Sequence, residues 1–227
     1  VMSQPMFCGE SGPRTIFTIE ACQSYMIEPF SHFPGEAEAL FRELGATSVR
    51  TSGSEAERAL LWKGRKSAFP AVGRLSPDYY CMDGTIPRRH LAHVLLEMER
   101  MSEEFGLRVA NVFHAGDGNL HPLILFDANV PGEFERTEAF GSSILNLCVE
   151  VGGCITGEHG VGVEKIRQMA VQFNDEELQQ FHDVKAAFDP AGILNPGKGV
   201  PALRFCQEYR SLEHKQHKHD TVDAAHG

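Results

Sequence analysis

The sequence lacks the features that define several classes of protein. It has no apolar run of the ~20 residues that a membrane-spanning helix needs. No basic segment followed by an apolar stretch marks a secretory signal near its first residues. The formal charge of −10 leaves no basic excess for a nucleic-acid-binding surface. These absences predict a cytoplasmic protein that meets the inner membrane only through other proteins.

The cysteines also lack the pattern of an extracellular framework. No two of them form a C-x-x-C pair, and several lie in apolar segments, as Cys148 does in "ILNLCVEV". Such cysteines are typical of reduced thiols in a reducing compartment. The six are Cys8, Cys22, Cys81, Cys148, Cys154 and Cys206.

What is present is a regular alternation of helical and extended patterns. The predicted helices cover residues 35–45, 54–69, 88–106, 131–152, 161–170 and 174–187. The predicted strands cover residues 77–87, two hairpin arms at 107–116 and 119–127, and 154–157. Ser54 and Glu57 have capping-box spacing, and Pro70 is expected to end that helix. This order predicts an α+β fold, an antiparallel sheet with helices on one face, plus C-terminal helices.

Two histidines flank the turn of the predicted hairpin, in "FHAGDGNLHPLILF". If residues 116–119 form a four-residue loop, His114 lies directly opposite His121 on the same face of the sheet. Two imidazoles at that separation can reach one metal ion. Hydrogen bonding across a hairpin end, with Asp117 and Asn119 as turn residues, explains an isolated H-x6-H pattern equally simply.

A second polar group follows a short strand, in "TGEHGVG". Adjacent residues of an extended chain point to opposite sides, so Glu158 and His159 are expected to play different roles. Glu158 can complete a His2Glu set that leaves one position open, as catalytic metal sites do. His159 is then free to act as a general base. The alternative is a glycine-rich turn with a solvated Glu-His pair.

Basic residues follow the chain's single tryptophan, in "WKGRKSAF". Arg65 can bind a substrate carboxylate through two hydrogen bonds. Lys66 is interpreted as a surface residue. Histidines are also frequent in the polar tail, where His214, His217 and His219 suggest, more weakly, a metal-storage role.

Three ordered motifs carry a family resemblance: "HAGDGNLHP", "GEHGVG" and "FDPAGILNPGK". Together they resemble the C-terminal region of FAD-linked oxidases of the vanillyl-alcohol-oxidase type, over about residues 35–201. That family includes D-lactate dehydrogenases, D-2-hydroxyglutarate dehydrogenase and the FAD-linked subunit of glycolate oxidase. The text around the motifs is most similar to the glycolate oxidase branch.

The resemblance implies a ferredoxin-like cap domain and oxidation of a small 2-hydroxy acid, glycolate or D-lactate, with hydride transfer to FAD. It implies a divalent metal such as zinc on His114, His121 and Glu158, and His159 as the base. Arg65 corresponds to the residue that binds the substrate carboxylate. The resemblance also implies that Asn119 lies near the substrate and the flavin, and that Asn195 lies near the flavin. The implied partners are other glycolate oxidase subunits, including an iron–sulfur subunit.

Three regions are expected along the chain: an atypical N-terminal segment at 1–34, the FAD-linked oxidase C-terminal (cap) domain at 35–203, and a polar His-rich tail at 204–227. Enzymes of this family carry an N-terminal FAD-binding domain of roughly 200 residues. The sequence contains no such domain, so FAD is expected to bind mainly to a part absent from this chain. A non-catalytic remnant or docking module of the oxidase complex is the alternative function.

Overall fold

The computed structural model describes residues 2–9, 12–15, 18–19, 33–45, 48–49, 51–114 and 116–201. The tail at 204–227, with its three histidines, lies outside these ranges. Within them, no helix is both long and apolar enough to cross a membrane.

The strands form one antiparallel sheet. They are β1 (Met2–Gly9), β2 (Gly12–Thr15), β3 (Thr18–Ile19), β4 (Asp78–Cys81), β5 (Gly84–Thr85), β6 (Val109–His114) and β7 (Asn119–Phe126). The order across the sheet is β2-β1-β6-β7-β4, with β3 beside β1 and β5 beside β7. β1, which belongs to the segment at 1–34 that the sequence marks as atypical, pairs with β6, for example Gln4 opposite Phe113.

The helices are α1 (Phe33–Glu43), α2 (Glu55–Lys66), α3 (Ala68–Val72), α4 (Leu91–Phe105), α5 (Glu133–Glu150), α6 (Met169–Gln172) and α7 (Asp175–Phe188), with a 3-10 turn at Arg88–His90. The predicted α+β class, with an antiparallel sheet, is confirmed. Helices α4 and α5 cover one face of the sheet, where Phe113 and Ile124 pack with Met98 and Ile144.

The opposite face of the sheet carries the short helix α3. Ala68 and Val72 pack there against Val112 and Leu123. The alternation of side chains along a strand explains why β7 is buried over its whole length, since each of its faces has a cover. His121 lies on the α3 face of the sheet.

Four predictions of helices and strands are wrong. The strand predicted at 154–157 is only a single bridge between Cys154 and Thr85. Pro70 does not end a helix but lies inside α3, because a proline in the first turn needs no N–H donor there. The helix predicted at 161–170 is a series of turns until α6 begins at Met169. The strand predicted at 77–87 is broken between β4 and β5, at Met82 and Asp83.

The predicted cap of α2 is partly confirmed. The Ser54 hydroxyl accepts a hydrogen bond from the Glu57 N–H, but the Glu57 carboxylate bonds to the N–H of Gly53 instead of returning to Ser54. A complete capping box occurs at α7, where Asn174 and Glu177 each accept from the other's backbone N–H. The prediction of a helix at 174–187 is accordingly confirmed.

Candidate active site

The β6–β7 hairpin brings two histidines into contact, although not in the predicted register. His114 lies opposite Asn119, and His121 lies opposite Val112. The two histidines are therefore diagonal neighbours, two positions out of the predicted pairing. A shift of two residues keeps both side chains on one face, and diagonal neighbours remain within reach of each other. The ring centroids are 5.6 Å apart and the rings meet edge to face.

Glu158 joins these histidines from the loop that follows the bridge between Thr85 and Cys154. Its Oε1 lies 3.0 Å from Nε2 of His121. One ligand atom from each of His114, His121 and Glu158 lies within 4.8 Å of the other two. The structure thus brings the three predicted ligands together. Their donors, two imidazoles and a carboxylate, are a set that divalent metals accept.

His159 stacks on the other side of His121. The ring centroids are 5.0 Å apart and the planes differ by 14°. Whereas the His121 side chain is only 3% exposed, that of His159 is 47% exposed. The arrangement leaves His159 open to a small molecule and surrounds His121 with protein.

A buried carboxylate holds this loop in place, and the sequence analysis does not identify it. Asp83 lies between β4 and β5 and is fully buried. It accepts hydrogen bonds from the backbone N–H groups of Gly157, Glu158 and His159, and from the Thr156 hydroxyl. An aspartate directly before the glycine of a broken aromatic strand, in "YYCMDG", is the one sequence signal that could have found it.

Lys165 is the cation that balances Asp83. It is 2% exposed, and its Nζ lies 3.1 Å from Asp83 Oδ2 and 3.3 Å from the Thr156 hydroxyl. Burial alone raises the pKa of the Asp83 carboxyl, but hydrogen bonds from His159 N–H and Thr156 and the charge of Lys165 outweigh it. The net effect holds that pKa well below its ordinary value, so Asp83 is a carboxylate.

His121 is held in its neutral form. Burial lowers its pKa more than the nearby carboxylates of Asp83 and Glu158 raise it, and the neighbouring histidines lower it further. Its Nδ1 is buried and has no hydrogen-bond partner among the described residues, since Asp83 Oδ1 is 3.8 Å away. A neutral imidazole with a nitrogen available is the state in which histidine binds metals.

Asn119 begins β7 and is 7% exposed. Its Oδ1 is buried without a hydrogen-bond partner in the described part of the chain. The amide packs so closely on Gly157 that a Cβ at that glycine would lie 2.4 Å from Asn119 Oδ1. Asn119 therefore packs directly against the loop that carries Glu158 and His159.

Two predicted residues are not brought to the cluster by described contacts. Arg65 belongs to α2, but its side chain lies outside what the structure describes. Asn195 is exposed in the loop after α7, with a φ of 44°, and its carbonyl accepts from the N–H of Lys198. Over the described ranges, Asn195 shares no hydrogen bond or ring contact with the histidines.

A thiol approaches the same histidines from the neighbouring strand. Cys81 ends β4, and its Sγ lies within 4.8 Å of ligand atoms of His121 and His159. Its present hydrogen bond, 3.4 Å to the Met82 carbonyl, is a weak one. Burial, followed by the nearby charge of Asp83, raises the pKa of the Cys81 thiol to about 12. From the sequence, Cys81 is predicted only to be a reduced thiol.

Comparison with known proteins identifies the family. Residues 30–199 match the family described as FAD linked oxidases, C-terminal domain. The chain belongs to that family. The resemblance inferred from the three motifs is confirmed.

The curated relatives include a glycolate oxidase subunit and a D-lactate dehydrogenase. The chain is 65% identical over 175 residues to the glycolate oxidase subunit GlcD of Escherichia coli, covering 77% of this chain and 35% of the relative. It is 33% identical over 143 residues to the mitochondrial D-lactate dehydrogenase [cytochrome] of Arabidopsis thaliana, covering 62% and 25%. The chain thus spans about a third or less of the length of these relatives.

A solved structure shares the fold of this family member. The 4-ethylphenol oxidase of Gulosibacter chungangensis, in complex with isoeugenol, superposes with a TM-score of 0.52 at 19% identity. The match covers 76% of this chain and 36% of that one.

Proposed function

We propose that this chain provides the substrate-binding portion of an FAD-dependent 2-hydroxy-acid dehydrogenase that oxidises glycolate or D-lactate to the 2-oxo acid. The observation that carries the proposal is the convergence of His114, His121 and Glu158 beside the half-exposed His159. Three side chains that could hold a metal, next to a histidine that can accept a proton, are suited to the oxidation of a hydroxyl group. Membership of the FAD-linked oxidase family supports the flavin.

A divalent cation would be held by His114, His121 and Glu158. The residues fit such an ion because His121 is neutral and buried, and because Glu158 Oε1 already faces its Nε2 at 3.0 Å. A bound divalent cation supplies Lewis acidity, which polarises a substrate hydroxyl and makes its proton easier to remove. Zinc and manganese both suit this donor set.

His159 would take the hydroxyl proton of the substrate. A bound flavin would supply the acceptor for the hydride that leaves Cα as the hydroxyl becomes the carbonyl of the 2-oxo acid. Asp83 fixes the backbone of His159 by accepting its N–H, so the imidazole is presented from a rigid loop. Preorganisation of this kind lets a base act without first being ordered.

The remaining roles rest on the family resemblance. Arg65 would bind the substrate carboxylate, Asn119 would contact substrate and flavin, and Asn195 would lie near the flavin. The cap domain would extend over residues 35–203, with FAD bound mainly by a part of the relatives that this chain does not match. The enzyme would work in the cytoplasm with other glycolate oxidase subunits, including an iron–sulfur subunit, which would attach it to the inner membrane.

The metal is tested first, on the purified chain, by isothermal titration with Mn²⁺. Glu158→Gln should weaken Mn²⁺ binding by more than the roughly 10–100-fold that loss of an outer partner of a metal ligand costs. The matched control is Glu164→Gln, six residues on and exposed, which should bind as the wild type does. Equal affinities in the two variants would contradict the proposed ligand set.

Catalysis is tested in a chimera in which residues 30–199 replace the matching segment of the Escherichia coli glycolate oxidase subunit. Addition of glycolate or D-lactate should bleach its flavin absorption, and the faster substrate identifies the specificity. His159→Asn should abolish bleaching while the flavin spectrum remains. Retained bleaching in that variant would remove His159 from its role, and a chimera with flavin that neither acid bleaches would favour a non-catalytic docking module.

A further inference from the structure

We propose that Cys81, His121 and His159 form a second metal site, distinct from the His114–His121–Glu158 set, for a cation that prefers a thiolate ligand. The class is a soft or borderline cation such as Cd²⁺ or Zn²⁺. When such an ion binds, it withdraws His159 from proton transfer, so the site is inhibitory. The inhibitory half rests on the proposed function, whereas the binding half does not.

The geometry of the three donors carries the proposal. One ligand atom of each residue lies within 4.8 Å of the other two, which is the spacing of ligands around a single ion. Cys81 comes from the end of β4, His121 from β7 and His159 from the loop after residue 156, so three separate segments converge. The stacked rings of His121 and His159, 5.0 Å apart, bring the two imidazoles side by side.

The second observation is an unused nitrogen. The His121 side chain is only 3% exposed, and its Nδ1 has no hydrogen-bond partner among the described residues. A buried polar atom without a partner is costly, and an ion that it ligates would remove that cost. His121 Nε2 is already engaged with Glu158 at 3.0 Å. The ring therefore has one nitrogen that the first set of ligands does not need.

The surroundings of Cys81 select the kind of ion. Its neighbours on the α3 face are apolar: Ala68, Phe69, Val72 and Leu123. One thiolate with two imidazoles is a donor set preferred by zinc, copper(I) and their heavier relatives over magnesium or manganese. On binding, the Sγ–H bond breaks, the Sγ–metal bond forms and the proton passes to solvent. The two sets thus differ in the metals that they prefer, although both use His121.

The sharing of His121 and the loss of His159 make the site inhibitory. In the proposed reaction, His159 must have a free nitrogen to accept the hydroxyl proton. An ion bound to Cys81 and His159 occupies that nitrogen. Because a neutral imidazole has only one nitrogen lone pair available at a time, this ion also competes with the His114–His121–Glu158 set for His121. A trace of a thiol-seeking metal would then stop turnover without unfolding the protein.

The test is a titration of the full purified chain with Cd²⁺, followed by the ultraviolet charge-transfer band of the cadmium–thiolate bond. This band reports only thiolate ligands, so the histidines of the tail do not contribute to it. Cys81→Ser should remove the first rise in this absorbance during the titration. Cys154→Ser, at another half-buried cysteine, should leave that first rise unchanged. Cys81→Ala provides a second variant, and circular dichroism shows that each variant is folded.

The histidine variants separate the two sites. His159→Asn should weaken the first Cd²⁺ binding step about tenfold or more, which is about 1.4 kcal/mol. His114→Asn, which changes the other ring in contact with His121, should not weaken it. For Mn²⁺ the opposite is expected: His114→Asn should weaken binding, and His159→Asn should not. If the variants change Cd²⁺ binding as expected but Mn²⁺ does not bind, the proposed function is contradicted and the second metal site is not.

Two results would overturn the second site: an unchanged first cadmium increment in Cys81→Ser, or equal weakening by the His114 and His159 variants. The inhibitory role has its own measurement in the glycolate oxidase chimera. There, Cys81→Ser should raise the Zn²⁺ concentration needed for half inhibition by about tenfold. Equal inhibition of both chimeras would show that the thiol does not hold the inhibitory ion.

Discussion

Asp83 and His159 are separated by 76 residues in the chain, yet the Asp83 carboxylate accepts a 2.8 Å hydrogen bond from the His159 backbone N–H. The same carboxylate contacts Lys165 and the N–H groups of Gly157 and Glu158. One buried group therefore determines the position of a whole loop. Its removal should affect stability and the candidate site together.

Asp83→Asn should lower the free energy of unfolding by about 3–5 kcal/mol, because it leaves the Lys165 ammonium buried and uncompensated. Urea denaturation followed by circular dichroism measures this loss. The double variant Asp83→Asn/Lys165→Met removes both charges and should be less destabilised than the sum of the two single variants. Additive losses would mean that the two charges do not interact.

The low pKa of Asp83 also predicts how stability changes in acid. Its pKa in the folded protein lies below the value of about 4 for an unfolded aspartate. The stability that it contributes is therefore complete above about pH 4 and is lost as the pH falls further. The free energy of unfolding of the wild type should decline more steeply below pH 4 than that of Asp83→Asn. Parallel profiles for the two proteins would show that Asp83 is not the responsible group.

Gly118 should be the least replaceable residue of the hairpin turn. It has a φ of 73°, and a Cβ there would lie 2.1 Å from the Ile86 carbonyl oxygen. Gly106 has a similar φ of 64° but open space around it. Gly106→Ala should cost about 1–2 kcal/mol of stability, for the left-handed backbone alone. Gly118→Ala should cost roughly 4 kcal/mol or more, a loss typical of severe steric conflict. Chemical denaturation of both variants makes the comparison, and similar losses would argue against the close packing of Ile86 on the turn.

The raised pKa of the Cys148 thiol is expected to make the folded protein less stable in alkaline solution. Burial raises the pKa of this thiol from 9.0 to about 12, so the unfolded chain releases the proton at lower pH than the folded protein does. Its contribution is complete below pH 9 and is lost as the pH rises toward 12, at about 1.4 kcal/mol per pH unit. Cys148→Ala should flatten that decline under reducing conditions, whereas Cys154→Ala should keep it. An unchanged slope in Cys148→Ala would assign the decline to other groups.

Much of the site could be predicted because its residues have local signals. His114 and His121 flank a glycine-containing turn, Glu158 and His159 lie between glycines, and the structure brings all four together. Even the wrong hairpin register preserved their shared face, since it differed by two residues and not by one. In the true register, the Gly118 carbonyl accepts a hydrogen bond from the Ile86 N–H, a contact that the hairpin sequence alone does not contain.

The remainder depends on contacts between distant segments. The segment at 161–168 has helical spacing, but its backbone is held in turns by the approach of Lys165 to Asp83 and by glycines with positive φ at 160 and 162. Tertiary contacts of this kind override local propensity. Asp83, Lys165 and Cys81 are single residues without a motif. Cys81 lies 40 residues from His121 in the chain, Asp83 lies 76 from His159 and Lys165 lies 82 from Asp83. Local patterns cannot identify them.

The dependence of the loop on Asp83 has a consequence for the order in which the protein is made. A nascent chain that has reached residue 150 contains the hairpin with both histidines, and it also contains Asp83. It does not yet contain the N–H donors or the ammonium group that make burial of that carboxylate favourable. The Asp83 carboxylate therefore gains these partners only after residue 165 has been synthesised. The candidate site, which needs Glu158 and His159 as well as the hairpin, can be completed only after the hairpin has been made.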